Sequence, residues 1–275
     1  MHKRLPLLLA MLAFHLCLLS AQDSIPKSTL TLRLGPSHLT RQDLVFSPFI
    51  HRELSLLNVG IDYTRQGRMY HRLRLGFTQH SPMLVDPYTY SQHGEPGTAG
   101  PHVLNFIQLD YRLGARIHTG RGASWALGGV LTNHIQPMDY VYGRVSNFGY
   151  VASLGIGIFG EYDRQIGARG TLSASVQVPA VAWLARSPYL VNDDEYIENQ
   201  SSHSDLRTLF ELIGDGDVAT WDKLQQADAE IAFQYGLGRS WAVGAGYGLS
   251  FLRAVEPRLL VSWRQSFQFY LIKNL

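Results

Sequence analysis

The chain has 275 residues, of which 24 are Lys or Arg and 22 are Asp or Glu, so its formal net charge is +2. This near balance excludes the basic excess with which nucleic-acid-binding proteins contact phosphates. The length suits one domain, and a single cysteine, Cys17, leaves no internal disulfide framework.

The N-terminus has the pattern of a secretory signal peptide. Lys3 and Arg4 precede an apolar stretch over residues 5–19, and small residues follow up to Ala21. We expect cleavage after Ala21, which leaves residues 22–275 as a single domain with 22 basic and 22 acidic side chains. A lipid anchor at Cys17 is not expected, because Leu16 stands where a lipoprotein signal requires a small residue.

Apolar and polar side chains alternate through long stretches of the mature chain. In residues 57–64 and again in 72–78, every second side chain is apolar or aromatic, and the others are polar, charged or glycine. Successive side chains of a β strand point to opposite faces, so each stretch predicts a strand with one apolar and one polar face.

Ten such strands are predicted, and most match or exceed the 9–11 residues with which a tilted strand crosses a bilayer. Their extents are 28–35, 55–66, 69–81, 103–117, 124–136, 148–163, 171–183, 225–236, 240–253 and 258–272. Two further regions, 44–50 and 140–145, leave a twelve-stranded alternative open.

The connections predict a barrel with two different ends. Those after the second, fourth, sixth and eighth strands are short and contain glycine, whereas those after the first, third, fifth and seventh are longer, including 85–101 and 186–224. The connection around 255–257 is a short exception. Beyond the signal, no apolar run approaches the roughly 18 residues of a spanning helix.

This arrangement resembles the bacterial outer-membrane β-barrel proteins over nearly all of the mature chain. The final strand is similar to their assembly-signal strand, because Val261, Trp263, Phe267, Phe269 and Leu271 share one face. The chain departs from the family by ending on Leu275 rather than on an aromatic residue.

The resemblance implies an all-β fold, an antiparallel up-and-down transmembrane β-barrel in the outer membrane of a Gram-negative bacterium. It also implies contact with outer-membrane lipid and lipopolysaccharide, and the help of the barrel-assembly machinery during biogenesis. No nucleic-acid partner and no cofactor are expected.

Charged side chains fall on the face that would line the lumen. Six are basic and five acidic, and we predict that they form a plug of ion pairs, because buried charges must be paired. A narrow conduit or a ligand pocket remains open as an alternative. The eleven residues are Arg33, Asp62, Arg72, Arg74, Asp110, Arg112, Arg116, Glu161, Asp228, Glu230 and Arg264.

Two further patterns complete the predicted barrel. Glycines at 244, 246 and 248 leave the inner face of one strand bare, and long arginines are expected to fill that space. Aromatic residues near strand ends are expected to form the girdles found at membrane interfaces. They are Tyr63, Tyr70, Tyr111, Trp125, Tyr150, Tyr162, Trp183, Tyr235 and Trp241.

No catalytic or metal site is predicted. The nearest His–Ser pairs are 80–81 and 203–204, but neighbours along a strand face opposite sides. The His-x-Ser-Asn pattern of outer-membrane lipid deacylases and phospholipases is absent, and so is the facing acidic pair and Asp–His pair of ten-stranded surface proteases. In the loop 186–224, helical spacing predicts a short amphipathic helix over 205–213, and acidic clusters at 192–195 and 215–217 are interpreted as solvated.

The sequence therefore favours an outer-membrane barrel with a largely plugged lumen and a structural, surface-interaction or narrow-transport role. One alternative is an outer-membrane hydrolase acting on lipid or peptide at the cell surface. Another is a soluble secreted β-barrel that binds a small apolar ligand, which would carry apolar residues inside and polar residues outside.

Overall fold

The computed structural model describes residues 27–67, 69–82, 88–92, 94–99, 102–120, 122–142, 145–187, 214–238 and 240–275. The predicted signal peptide, the helix at 205–213, the acidic cluster 192–195 and the pair 203–204 lie outside these ranges. Within them no helix is long and apolar enough to cross a membrane.

The described residues form thirteen β strands. They are β1 (Lys27–Asp43), β2 (Ser47–Gln66), β3 (Met69–Pro82), β4 (Tyr88–Gln92), β5 (Glu95–Ala99), β6 (Val103–Gly120), β7 (Ala123–Tyr142), β8 (Val145–Ile166), β9 (Gly170–Arg186), β10 (Asp217–Thr220), β11 (Leu224–Gly236), β12 (Trp241–Ala254) and β13 (Leu260–Asn274).

Ten long strands close into an antiparallel barrel. Their order is β1-β2-β3-β6-β7-β8-β9-β11-β12-β13, and β13 pairs with β1 to complete the ring. The short β10 pairs with 181–184 of β9, whereas β11 pairs with 170–177 of the same strand. β10 therefore takes the place of β11 beside the last part of β9. The hairpin of β4 and β5 stands apart in the connection between β3 and β6. The prediction of an all-β barrel with ten wall strands is confirmed.

The two ends of the barrel differ. Both ends of the described chain lie together, because Thr29 is level with Asn274. The tight connections β2–β3, β6–β7, β8–β9 and β11–β12 share this end, which we call the turn end. The opposite end, which carries the β3–β6 and β9–β11 connections, is the loop end.

Two connections at the loop end are much shorter than predicted. β1 and β2 are joined by the three-residue turn Leu44–Phe46, and β7 and β8 by residues 143–144. The expected longer connections after the first and fifth strands were therefore wrong. The twelve-stranded alternative was wrong as well, because 47–50 begins β2 and the region 140–145 is divided between β7 and β8.

These two connections at the loop end were predicted to be too long because the apolar pattern inverts within single strands. In β1, Leu32 and Leu34 point outward and are 49% and 46% exposed, but Leu39 points into the barrel and is fully buried. Its outward neighbours there are the polar His38 and Thr40. A sequence prediction that follows one apolar face ends the strand where the apolar side chains change from the outer to the inner face. The backbone hydrogen bonding of β1 with β2 and β13 nevertheless continues to Asp43.

Between the two ends the outer wall is apolar. Leu32, Ile61, Leu75 and Leu109 form one row across β1, β2, β3 and β6, and each is between 42% and 52% exposed. In this zone the polar and charged side chains point inward. The wall thus has the arrangement predicted for a membrane barrel, opposite to that of a soluble ligand-binding barrel.

Aromatic side chains surround the turn end of this apolar zone. Tyr63, Tyr111, Trp125, Tyr235 and Trp241 are all exposed on the outer wall. The assignment of Tyr70 and Tyr150 to the girdles was wrong, because both are buried. Tyr70 is two positions from Arg72 in the same strand, so it shares the inward face with that arginine.

Strands β6 and β7 approach closely where two glycines face each other. Gly114 is level with Gly128, and a Cβ on Gly128 would lie 2.1 Å from the carbonyl oxygen of Leu113 and 2.4 Å from the Cα of Gly114. A Cβ on the neighbouring Gly129 would meet only the carbonyl oxygen of Gly157, at 3.8 Å.

We therefore expect Gly128→Ala to lower the free energy of unfolding by about 1–3 kcal/mol, because the backbone of β6 must move to admit the methyl group. The matched variant Gly129→Ala should change it by less than about 0.5 kcal/mol. Urea unfolding in lipid vesicles, followed by tryptophan fluorescence, measures both. Equal effects of the two substitutions would contradict this account of close strand packing.

Candidate functional site

The lumen is crossed by a buried ionic network centred on Asp62 of β2. This carboxylate is 1% exposed and pairs with three arginines. Its oxygens lie 3.1 Å from Arg33 Nε, 2.6 Å from Arg72 Nη2 and 3.3 Å from Arg74 Nη2. The three arginines come from the neighbouring strands β1 and β3, so the barrel register brings them to one carboxylate.

The network reaches the opposite wall through two glutamates. Arg74 Nη2 lies 2.7 Å from Glu230 Oε2 on β11, and Arg72 Nη1 lies 3.0 Å from Glu161 Oε2 on β8. Glu161 also pairs with Arg112 of β6 at 3.2 Å. Side chains from both sides of the barrel therefore meet across the lumen.

Two buried tyrosines complete the hydrogen bonding of these glutamates. The Tyr70 hydroxyl donates to Glu161 at 2.9 Å, and the Tyr270 hydroxyl donates to Glu230 at 2.9 Å. Tyr270 also occupies the space beside the glycines of β12, since a Cβ on Gly246 would lie 2.1 Å from its hydroxyl. The sequence prediction assigned this space to arginines, and the structure fills it with a tyrosine of the adjacent strand.

A neutral amide links the remaining acids to the network. The Gln177 side chain accepts from Arg112 Nε at 2.9 Å and donates to Asp110 at 2.9 Å and Asp228 at 3.0 Å. Asp110 also lies 3.2 Å from His134 Nε2. The sequence reasoning missed both Gln177 and His134, although each lies on the inward face of its strand, because it considered only carboxylates and arginines.

The last two predicted lumen residues lie inside the barrel but away from Asp62. Arg116 pairs with Asp163 towards the turn end. The Arg264 guanidinium lies 5.2 Å from the centre of the Phe106 ring and 3.3 Å from Gln108 Oε1. The structure thus places all eleven predicted residues inside the wall, and it joins ten of them into one assembly of ion pairs and hydrogen bonds, with Arg264 linked to Asp110 through Gln108.

The interior is divided into three zones along the barrel axis. At the turn end, a polar vestibule of about 570 Å³ is lined by residues that include Thr31, Gln66 and Asp163. The ionic network closes the inner end of this vestibule, and the cavities beyond it measure only about 40 and 30 Å³. The loop-end zone is apolar and contains the inward side chains Leu39, Phe46, Leu104, Phe106, Met138, Val151, Leu224, Leu252 and Leu260.

A second ionic cluster lies at the loop end. Arg41 Nη2 lies 2.8 Å from Asp43 Oδ2, and Arg41 also donates to Gln136 at 2.8 Å. Arg186 pairs with the same Asp43 and donates to the main-chain oxygen of Glu256 at 2.9 Å. These contacts hold β1, β7, β9 and the β12–β13 connection together at the rim.

Beside this cluster the structure brings together His51, Glu53 and His102. His102 Nε2 lies 2.6 Å from Glu53 Oε1, and the two imidazole rings are edge to face with centroids 5.0 Å apart. Burial and then the neighbouring His102 lower the pKa of His51, so its imidazole is neutral at pH 7.

Sequence reasoning missed this group. Its signal is a His-x-Glu pair, whose members share one face of a strand, and a histidine 49 residues after the glutamate. The chain sequence alone does not say that the two segments meet. That proximity depends on the register of the strand between them.

His80 and Ser81, which were rejected as a catalytic pair because neighbours along a strand face opposite sides, are adjacent residues of β3. His80 Nε2 instead lies 3.1 Å from Ser37 Oγ of β1, and both residues are fully buried within the barrel. Burial separates this pair from the bulk water that a hydrolytic reaction would consume.

No protein-family model and no curated protein matches the chain. Among solved structures, the outer membrane protease OmpT from Escherichia coli matches with a TM-score of 0.50 at 6% identity, over 94% of this chain and 99% of that one. The Neisserial surface protein NspA gives 0.38 at 10% identity, over 91% and 99% of the two chains. The translocator domain of the autotransporter NalP from Neisseria meningitidis gives 0.39 at 10% identity, over 97% of each.

The two lower scores carry no argument, and identity as low as 6% shows the fold alone. That fold agrees with the closed ring of ten antiparallel strands seen here. The chain therefore has the fold of the bacterial outer-membrane β-barrels.

Proposed function

We propose that the protein is an integral outer-membrane β-barrel with a closed lumen, and that it acts through its surface rather than as an open channel. The observation that carries this proposal is the ionic network around Asp62, which joins both walls and lies between the vestibule and the apolar loop-end zone. A solute entering from the turn end would meet paired charges and then tightly packed aliphatic side chains.

The membrane placement is supported by the side-chain pattern of the wall. Exposed leucines and isoleucines surround its middle, and aromatic residues border its turn end, as in transmembrane barrels. The inversion of the pattern in β1 supports the same placement. Where the surroundings change from lipid to water, the outer face becomes polar and the interior becomes an ordinary apolar core.

The expected partners follow from this placement. Outer-membrane lipid and lipopolysaccharide would contact the apolar wall, and the barrel-assembly machinery would insert the chain after signal-dependent export. The loop end, with its ionic rim and the β4–β5 hairpin, would present the surface available to other partners.

We expect the refolded mature chain to be heat-modifiable in gel mobility and silent in a planar lipid bilayer. The reason is that the network and the apolar layer fill the lumen beyond the vestibule, where two cavities among the described residues measure about 40 and 30 Å³. Single-channel recording at neutral pH, with a porin as the positive control, measures this. Steady conductance from the pure folded protein would contradict the closed-lumen proposal and favour narrow transport. A chain that stays soluble and monomeric without detergent would contradict the membrane proposal itself.

A further inference from the structure

We propose that His51, Glu53 and His102 form a binding site for a divalent transition-metal ion of the zinc type at the loop end of the barrel. The three side chains each offer one ligand atom, and these atoms lie within 4.8 Å of one another. Two imidazole nitrogens and a carboxylate oxygen are the donor set that Zn²⁺ accepts in proteins.

The separations of the donor atoms suit one shared ion. Bonds of about 2.0–2.2 Å in tetrahedral geometry place two ligand atoms about 3.3–3.6 Å apart. The observed separations run from the 2.6 Å His102–Glu53 contact to no more than 4.8 Å, so they bracket that value. Small side-chain rotations would bring all three donors to bonding distance, with the ion replacing the proton shared by His102 and Glu53.

Glu53 gives the second, independent observation. Its side chain is fully buried, and its Oε2 atom has no hydrogen-bond partner among the described residues. A buried carboxylate oxygen requires a compensating partner. The site borders a small cavity of about 20 Å³, enough for one ion or water, which is also lined by Asp139 and Met138.

The backbone register explains why the site is held in place. Glu53 of β2 is opposite Pro82 of β3, and His80 of β3 is opposite Leu104 of β6. His102, two residues before Leu104, therefore comes level with Glu53 across the end of β3. An ion at this point would bind β2 to the beginning of β6 and would bridge the strand between them.

The surrounding charge accommodates a dication. Arg41, which lines the same cavity, is paired with Asp43 at 2.8 Å, and Asp43 is paired again with Arg186. Glu53 and Asp139 contribute negative charge at the cavity itself. Three protein ligands leave a fourth coordination position for water or an added ligand, as in open zinc sites.

The test uses the tag-free mature chain folded in vesicles, stripped with a chelator and titrated with Zn²⁺ by calorimetry. We expect one ion per chain with an apparent Kd tighter than about 1 µM. Both Glu53→Gln and His102→Ala should weaken binding by about 100-fold or more, because each removes a direct ligand. Co²⁺ should give a visible absorption band with the wild-type chain but not with either of these two variants.

The matched control is His71→Ala. This histidine is on the outer wall near the turn end, where its Nδ1 contacts the Tyr111 hydroxyl at 2.8 Å, and its loss should leave zinc binding unchanged. If the Glu53 and His102 variants do not fold, as shown by loss of heat-modifiable gel mobility, His51→Gln is tested in their place, because His51 is only half-buried. Absence of stoichiometric binding by the wild-type chain would overturn the proposal, and so would equal affinity in all variants. The metal titration does not measure conductance, so failure of the zinc proposal is distinguishable from failure of the closed-lumen proposal.

Discussion

Replacing Asp62 with Asn is expected to lower the free energy of unfolding by about 3–5 kcal/mol. The substitution keeps the shape of the side chain but removes its charge. Arg33, Arg72 and Arg74 would then remain inside the barrel without the carboxylate that pairs with all three. Arg72 and Arg74 would keep Glu161 and Glu230 as partners, but Arg33 would lose the carboxylate with which it pairs. A buried cation without its anion is costly because the barrel interior solvates it poorly. Urea unfolding of the protein in lipid vesicles, monitored by tryptophan fluorescence, measures the change.

A matched carboxylate at the surface provides the control. Glu256 pairs with Lys223 at 3.0 Å, and both side chains are well exposed. Exposed pairs contribute little because water and salt screen them, so Glu256→Gln should leave the unfolding curve nearly unchanged. Adding Arg33→Gln to Asp62→Asn should recover part of the lost stability, since one unpaired cation is removed. If Asp62→Asn were as mild as Glu256→Gln, the lumen would have to be filled with water instead of closed.

The second large effect is expected on the outer wall. Leu75→Arg should cost about 2–4 kcal/mol of unfolding free energy, because it places a charge near the middle of the lipid-facing zone. Leu75 lies between Ile61 and Leu109 in the apolar row and is 52% exposed. Its exposure in the isolated chain means that packing within the protein does not explain a cost of this size. The same vesicle unfolding assay measures it.

The control lies on the same face of the same strand. Gln79 is exposed nearer the loop end and donates a hydrogen bond to Asn105 at 3.0 Å, so its surroundings are already polar. Gln79→Arg should cost no more than about 1 kcal/mol, the value for charges near the membrane interface. Equal costs at the two positions would show that Leu75 does not face hydrocarbon, and the soluble barrel would return as the alternative.

Much of the fold could be predicted from the period of two in the sequence. That period depends only on local backbone geometry, because side chains of an extended chain alternate between two faces wherever the strand lies. It identified ten wall strands and the inward position of all eleven charged residues. The same period also places Tyr70 on the inner face, because Tyr70 is two positions from Arg72 in one strand. Its aromatic character near a strand end had suggested the outer wall instead.

The loop end was harder to predict because the environment changes along the strand. Leu39 and Leu260 point inward where Leu34 and Phe269 point outward, so the same residue type marks opposite faces at the two heights. The alternation of side chains does not show at which residue the surroundings of the outer wall change from lipid to water. The strands β1 and β2 were consequently predicted to be too short, and the turn at 44–46 was taken for a longer connection.

By itself, then, the sequence determined the class of fold, the number of wall strands and which charged side chains face the lumen, since each of these follows from alternation along one strand. Only the tertiary structure decided which lumen charges pair, that Tyr270 fills the glycine face, and that His102 meets Glu53. These contacts join positions up to 156 residues apart, as Arg74 and Glu230 show. They depend on the register between strands and on closure of the ring, and neither is set by the local pattern of any single strand.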